Sequence, residues 1–459
     1  MGSRVFSLSF DGIAVVTDDG RTVSYAELKQ MTADWAAKVP PRSLVFLLVG
    51  NNLDSLVAYV ACLNHGIVPL MLDAKIDGLL LQRFIEIYRP DFIWRPGREG
   101  YVLEPRNTLN TRKEEGRIPC DPCIPWFEKK SLYLDLALLL TTSGSTGSPK
   151  LVRQSYTNIR ANTASIVEYL NLDSTERPIT TLPMNYTYGL SIINSHLAVG
   201  ATILLTEKSI MQREFWNFFT EQGATSFGGV PYTYEMLDKL MFFRRKLPSL
   251  RTMTQAGGKI LPELHRKFAE YAQREGKNFV VMYGQCEATA RMSYLPPDRA
   301  LDKVGSMGIA IPGGRFELVD GELVYYGDNV TLGYAECAED LAKGDERHGR
   351  LETGDMARVD EEGFYYIVGR KKRFLKIFGN RVNLDETERL IKGQFRDLDC
   401  ACGGVDDKMK IFITDQTQVQ AVRDFVAEKT HLNFTAFDIQ FLATIPKNAS
   451  GKTLYSELP

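Results

Sequence analysis

The sequence predicts an α/β protein: a large N-terminal domain of parallel α/β sheets plus a β-rich subdomain, then a small α+β C-terminal domain. Three observations predict it. Between Ser43 and Met282, short apolar β-like runs alternate with longer helical patterns, the rhythm of parallel strands joined by crossover helices. After about Leu301 glycines become dense, and Asp320-Gly321 sits between Phe316–Val319 and Glu322–Tyr326, a strong hairpin signal. After Gly369-Arg370, the basic run Lys371-Lys372-Arg373 opens a remainder that reads helix–strand–strand–helix–strand. The expected domains are therefore 1–370, with the β-rich subdomain at about 301–370, and 371–459.

Taken in order, Val45–Val49 reads as a buried strand, Leu53–Asn64 as a helix and Ile67–Leu72 as the next strand. Thr180–Leu182, Ala201–Leu205, Thr225–Phe227, Arg251–Gln255 and Phe279–Met282 repeat the strand pattern, with helical stretches at Met211–Gln222, Tyr232–Leu240 and Pro262–Arg274 between them. Sheets of this kind carry their ligand sites on loops at the carboxyl ends of strands. The 459 residues suit two or three domains at roughly 150 residues each.

Composition narrows the class. Lys and Arg number 55 against 57 Asp and Glu, for a net charge of −2, with 44% hydrophobic residues. This excludes a polybasic nucleic-acid binder, an acidic tail protein and a disordered chain. No apolar run, Leu136–Leu140 being the greasiest, approaches the roughly 20 residues of a membrane span. Asp11 interrupts the place where a secretory signal needs its apolar stretch, and Phe6 stands where a myristoylation signal needs Ser or Thr. Seven scattered cysteines, an odd number, point to reduced thiols and a cytoplasmic location.

The most informative segment is Leu138-Leu139-Leu140-Thr141-Thr142-Ser143-Gly144-Ser145-Thr146-Gly147-Ser148-Pro149-Lys150. An apolar strand runs into small residues, then a proline and a lysine. Glycines allow close backbone approach, successive N–H groups form an anion-binding concavity, hydroxyls add donors, and Lys150 supplies a charge. The plain alternative is a flexible Ser/Gly surface loop. A Walker P-loop fails twice. Here the glycine–lysine pairing is absent, and at Ser450-Gly451-Lys452-Thr453 the first-glycine position is Pro446 with only six residues following Thr453, too few for the phosphate-binding helix.

Thr142 to Lys150 resembles the signature phosphate loop of the adenylate-forming superfamily, which includes acyl-CoA synthetases, nonribosomal-peptide adenylation domains and firefly luciferase. Further segments follow in that family's order, from Tyr25-Ala26-Glu27-Leu28 to Gly451-Lys452. Met282-Tyr283-Gly284-Gln285-Cys286-Glu287 is similar to the Tyr-Gly-x-Thr-Glu motif. The resemblance implies that Tyr283 stacks on adenine and that Glu287 holds a Mg²⁺ shared with the ATP phosphates. Cys286 departs from the family threonine, whose hydroxyl serves the α-phosphate; a thiol is a weaker donor, and Thr289 lies near enough in sequence to help. Ala256, Gly257 and Gly258, within Gln255 to Lys259, resemble the turn lining the adenine and acyl pockets. Thr353-Gly354-Asp355 resembles the motif whose carboxylate, here Asp355, takes the ribose hydroxyls, and Arg370 matches the arginine that also holds the nucleotide.

Lys372 falls at the family's hinge, about which the C-terminal domain rotates between adenylating and thioester-forming poses. Lys376 and Gly379 resemble the loop lining the thiol tunnel, and Lys452 the catalytic lysine. The chemistry explains that lysine: a carboxylate attacking the α-phosphate brings two anions together, and a mobile ammonium neutralises them in the transition state. Thr181 to Leu190 resembles the acyl-CoA synthetase form of the substrate segment, with Tyr186, Tyr188, Phe227 and Gly228 as expected pocket walls. No Asp or Glu lies between Pro183 and His196 to hold an amino-acid ammonium.

The resemblance thus implies an ATP- and Mg²⁺-dependent acid–thiol ligase acting on a carboxylic acid. The acceptor is coenzyme A or the phosphopantetheine of an acyl carrier protein. Amino-acid adenylation and a catalytically weakened nucleotide-binding partner subunit stand as rivals, the latter motivated by Cys286. Cys120 and Cys123 lack a second pair for a zinc site, Cys400 and Cys402 read as buried thiols, and His196 and His265 read as helical residues without a hydrolase nucleophile motif.

Overall fold

The computed structural model describes residues 5–105, 131–141, 150–371, 373–377, 380–395, 397–430, 432–447 and 453–459. The fold is α/β, with a large N-terminal domain and a smaller C-terminal one. Its seven-stranded sheet runs in the order Gly333–Ala335, Leu151–Ser155, Leu136–Thr141, Val68–Asp73, Leu44–Val49, Phe92–Gly97 and Gly100–Pro105. The four central strands pair in parallel. Leu44–Val49 is buried at every position, because helices cover both faces and the strand can be apolar throughout. The helix Leu53–His65 begins where the Asn52 side chain accepts from Ser55 N–H, and it stops at Gly66 with φ 73°.

A second sheet positions the site. Ser226–Gly229, Thr252–Gln255 and Asn278–Tyr283 run parallel in register, and Ser293–Tyr294 and Ile309–Ala310 extend the sheet antiparallel. The crossover helices Pro231–Lys239 and Pro262–Arg274 each begin with proline in the first turn, where its missing N–H costs nothing. Gly229, Gln255 and Val281 lie level across the three parallel strands, and the third continues to Tyr283.

Thr180–Leu182, expected as a strand, makes no ladder. Pro178 and Ile179 form single bridges to Ser226 and Leu204, and the prolines at 178 and 183 deny N–H groups at both ends. The hairpin forms as expected between Arg315–Val319 and Glu322–Tyr326. Asp320 and Gly321 take φ 51° and 77°, the pair of positive values its tight turn requires. The β-rich stretch is nonetheless tied to the rest, since Gly333–Ala335 pairs with Leu151–Ser155.

Beyond Arg370 come the hairpin Phe374–Ile377 with Asn380–Asn383, the helix Leu384–Gln394, strands Cys400–Val405 and Lys408–Ile413, the helix Val419–Thr430 and the strand Phe437–Phe441. These enclose their own core, including Ile391, Cys400, Cys402, Ile411, Val422 and Ile439. No helix among the described residues is long and apolar enough to cross a membrane.

Candidate active site

Chain reversal at the end of Asn278–Tyr283 builds the centre of the site. Gly284 is required there: a Cβ would lie 1.8 Å from the Ala290 carbonyl oxygen. After the short turn Cys286–Ala288, Thr289 takes φ 65° and ψ −55°, and Ala290 N–H donates to Ala288 O at 2.7 Å. That is a γ-turn of the strained kind, centred on a β-branched residue. It persists because its surroundings over-determine it. The Thr289 hydroxyl donates to Asn329 O at 2.7 Å, and Thr289 O accepts from Gln154 Nε2 and from the Thr187 hydroxyl.

At one end of this turn lies a carboxylate clamp. Tyr283 Oη donates to Asp355 Oδ2 at 2.6 Å, and Gln285 Nε2 donates to the same oxygen at 2.9 Å and to Thr353 O at 2.9 Å. Arg370 Nε stands 3.8 Å from the other oxygen, its strand paired so that Asp355 faces Arg370. Burial pushes the Asp355 carboxyl upward, against the pull of these donors.

At the other end, Glu287 is half-buried and held by its backbone. Its carbonyl accepts from Thr331 N–H at 3.0 Å, the Thr331 hydroxyl at 2.9 Å and Arg347 Nη1 at 3.0 Å. Its Oε1 accepts from Tyr334 Oη at 2.8 Å. Burial, then Glu287, push that phenol up to about 12. Lys150 Nζ lies 3.8 Å and Arg347 Cζ 4.6 Å from the Tyr334 ring centroid, and Lys150 also pairs with Glu336 at 3.2 Å. Carboxylate and cations thus share one tyrosine. No group of three or more His, Cys, Asp or Glu forms a metal cage among the described residues. A single carboxylate beside cations fits Mg²⁺ held jointly with substrate phosphates.

Between the two ends, the Cys286 thiol is pushed well above its ordinary range, first by burial and then by Glu287, so it stays protonated at neutral pH. Thr289 cannot replace the missing hydroxyl, because its own is committed to Asn329 O.

The residues expected to line the acyl pocket face the same turn, tied to it by the Thr187 hydroxyl on Thr289 O. Tyr186 precedes the helix Thr187–Ala198, and burial raises its phenol to about 12. Its hydroxyl lies 2.6 Å from where a Cβ on Gly257 would sit, and Gly257 has φ +83°. Tyr188 is buried and donates to Thr254 Oγ1 at 2.7 Å. A Cβ on Gly228 would meet Ile192 Cδ1 at 2.8 Å and Tyr188 Oη at 3.0 Å. Tyr186, Tyr188, Gly228, Ala256, Gly257 and Gly258 are therefore gathered together. Phe227 is not: it turns into the aromatic core against Phe219, Tyr234 and Phe242, since neighbouring strand residues face opposite sides.

Lys376 is exposed on its strand, its backbone N–H donating to Asp406. Thr142, Ser143, Gly144, Ser145, Thr146, Gly147, Lys372, Gly379, Lys452, Cys120 and Cys123 lie outside the described residues. Sequence reasoning missed Gln285, Tyr334 and Arg347. Gln285 stood at the variable position of its motif, and the other two carried no local signal.

The family described as AMP-binding enzyme matches residues 8–335. The chain belongs to that family. This AMP-binding enzyme is 24% identical over 432 residues to a 2-succinylbenzoate–CoA ligase of Bacillus licheniformis, covering 90% of this chain and 88% of the relative. It is 29% identical over 350 residues to peroxisomal OPC-8:0-CoA ligase 1 of Arabidopsis thaliana, covering 71% of this chain and 64% of the relative. The structure of o-succinylbenzoate CoA synthetase from Bacillus subtilis, in complex with the acyl-adenylate intermediate OSB-AMP, shares its fold. The TM-score is 0.78 at 21% identity, covering 97% of this chain and 95% of that one.

Proposed function

We propose that this AMP-binding enzyme is an ATP-dependent acid–thiol ligase that forms an acyl-AMP and then passes the acyl group to coenzyme A or a carrier-protein phosphopantetheine. One observation carries the reading. The turn from Tyr283 to Ala290 joins a ribose-type clamp, Asp355 with Arg370, to a carboxylate flanked by cations, Glu287 with Lys150 and Arg347. The same turn is tied through Thr289 O to the Thr187 hydroxyl, next to Tyr186 and Gly257. A nucleotide lying along the turn puts its ribose at Asp355, its phosphates near Glu287 and its α-phosphorus toward the acyl side.

In the first step a substrate carboxylate oxygen attacks the α-phosphorus, and the bond to the pyrophosphate oxygen breaks. The loop Thr142–Gly147 and Lys150 hold the phosphates, and Lys452 bridges the attacking and leaving oxygens. Glu287 would hold Mg²⁺, which when bound would supply charge neutralisation to the leaving pyrophosphate. Rotation about Lys372 then withdraws Lys452 and brings the Lys376–Gly379 segment to the thiol path. There the acceptor sulfur attacks the acyl carbonyl and AMP leaves. The neutral lining of the helix from Tyr186 to His196 favours an acid without an α-ammonium. The similarity to the 2-succinylbenzoate–CoA ligase makes an aromatic or oxo acid with coenzyme A the first combination to test.

The test is pyrophosphate exchange across aliphatic, aromatic and amino acids, with Lys452→Ala alongside. The variant should lose roughly 10²–10³ in acyl-AMP formation, the scale of one charge-stabilising group, while still converting supplied acyl-AMP to thioester. Exchange with no acid would overturn the ligase reading in favour of a nucleotide-binding partner subunit. Equal loss in both half-reactions would overturn the two poses.

A further inference from the structure

Arg291 follows the γ-turn and is 2% exposed. Its backbone is fixed: N–H donates to Asn162 Oδ1 at 3.3 Å, and the carbonyl accepts from Asn162 Nδ2 at 2.8 Å and Asn329 Nδ2 at 3.1 Å. Among the described residues its guanidinium meets only neutral groups. Nε donates to Ser191 Oγ at 3.1 Å, and Nη1 donates to Tyr169 Oη at 3.0 Å and to Met282 Sδ at 3.3 Å. Cζ lies 5.1 Å from the Tyr188 ring centroid. Nη2 makes no hydrogen bond and no carboxylate pairs with Arg291 among the described residues.

Arg153 is equally buried, but it pairs with Glu346 and donates to the carbonyls of Leu332, Tyr334, Lys343 and Gly344. That is a guanidinium the fold satisfies for itself. Burying a charge without an opposite charge is costly, so Arg291 is an unusual thing for a core to contain. Its neighbours place it at the acyl side: Tyr188, Met282 and Tyr169 belong to the cluster of Leu182, Ile192, Val230 and Ala256 around the pocket. The thioether contact is a poor acceptor, and a carboxylate would replace it and use Nη2 in the two-pronged geometry a guanidinium prefers.

We propose that Arg291 receives a second carboxylate on the acyl substrate, so that the acid this enzyme activates is a dicarboxylic acid. The proposal rests on the acyl-activating reading above. One carboxylate goes to the α-phosphorus beside Gly257, the other to Arg291 past Tyr188.

The experiment compares pyrophosphate exchange for dicarboxylic acids from malonate to adipate, each against the monocarboxylic acid of equal chain length. 2-Succinylbenzoate against 3-benzoylpropionate, which lacks the ring carboxyl, is the aromatic pair. Wild type should favour one diacid over its partner. Arg291→Met should lower kcat/KM for that diacid by roughly 10- to 150-fold, the range of a hydrogen bond to a charged group, while monoacids keep or gain rate and the KM for ATP stays put. Arg291→Lys should fall between. Calorimetric titration of wild type with AMP present, using each diacid and its monomethyl ester, reads the same contact without turnover and without a variant that must fold. Binding that the ester loses supports the proposal even where exchange is absent, an outcome that would sink only the ligase reading. Exchange in which monoacids equal or exceed diacids, or diacids that bind no better than their half-esters, overturns the role of Arg291 and leaves the ligase standing.

Discussion

Replacing Glu287 by glutamine removes a charge and almost nothing else. The amide oxygen can still accept from Tyr334 Oη, and the three donors to the Glu287 carbonyl, from Thr331 and Arg347, are untouched. The side chain is half-buried and outside the hydrophobic clusters, so the fold should hold to within about 1 kcal/mol. What is lost, on the proposed reading, is the anion that faces Mg²⁺. An interaction with a charged group is worth about 1.5–3 kcal/mol, which converts to roughly 10- to 150-fold in rate. Exchange measured across a Mg²⁺ titration should show kcat/KM for ATP down by that factor, with half-saturation moved to higher Mg²⁺. Tyr334→Phe is the control: it keeps the ring beneath Lys150 and Arg347 and removes only the donor to Glu287, so its effect should stay near or below tenfold. Wild-type exchange by Glu287→Gln at limiting Mg²⁺ would refute Glu287 as a metal ligand. A large drop in its unfolding midpoint would show instead that the carboxylate is structural.

Two other outcomes follow from buried groups. Because burial keeps the Cys286 thiol protonated, Cys286→Thr should leave adenylation unchanged or raise it by up to roughly tenfold through a better donor to the α-phosphate; a covalent substrate adduct on wild type and a dead threonine variant would refute this. His196 and His265 are buried with pKa values lowered to about 4 by burial, and Gly305 N–H donates to His265 Nδ1 in its neutral form. Their folded values lie below the ordinary 6.5, so the unfolded chain binds more protons between the two, and stability falls as pH falls through that window. Each histidine should remove about 2 kcal/mol between pH 7 and pH 5. A denaturation midpoint that is flat across that range, or equally steep in the double His→Gln variant, would contradict the assignment.

What was legible in the sequence was local. Asp320-Gly321 announces its hairpin because only a few residue types accept two positive φ values in succession. After Arg370 the helix–strand–strand–helix–strand order is legible where periodicities switch cleanly, but the hairpin Phe374–Ile377 with Asn380–Asn383 that precedes it was not expected. The adenylate-forming resemblance is borne out by the family match over residues 8–335. Illegible were features set by partners far along the chain. Tyr283 reads as a π-face, yet its hydroxyl is tied to Asp355, 72 residues on. Phe227 and Gly228 look alike as pocket candidates until the pleat sends one to the core and the other to the cleft. Gly333–Ala335 is too short to read as a strand without Leu151–Ser155 beside it. Nothing in the letters around Thr289 marks a residue type that rarely takes φ 65°.

That threonine ties the two halves of the chemistry together. On the proposed reading Tyr283 to Glu287 serve the nucleotide and Arg291 the acyl substrate; the γ-turn at Thr289 reverses the chain between them. A less strained link would need more chain and would lose the fixed spacing between Glu287 and Arg291. The strain, of order 1–3 kcal/mol, is held from the β-rich stretch: Asn329 O accepts from the Thr289 hydroxyl, and Asn329 Nδ2 donates to the carbonyls on both sides, Ala288 and Arg291. Tyr325 fixes Asn329 in turn through its hydroxyl at 2.8 Å. The hairpin that ends in Tyr326 thus braces the turn, and the spacing of Glu287 and Arg291 is held by hydrogen bonds from Asn329.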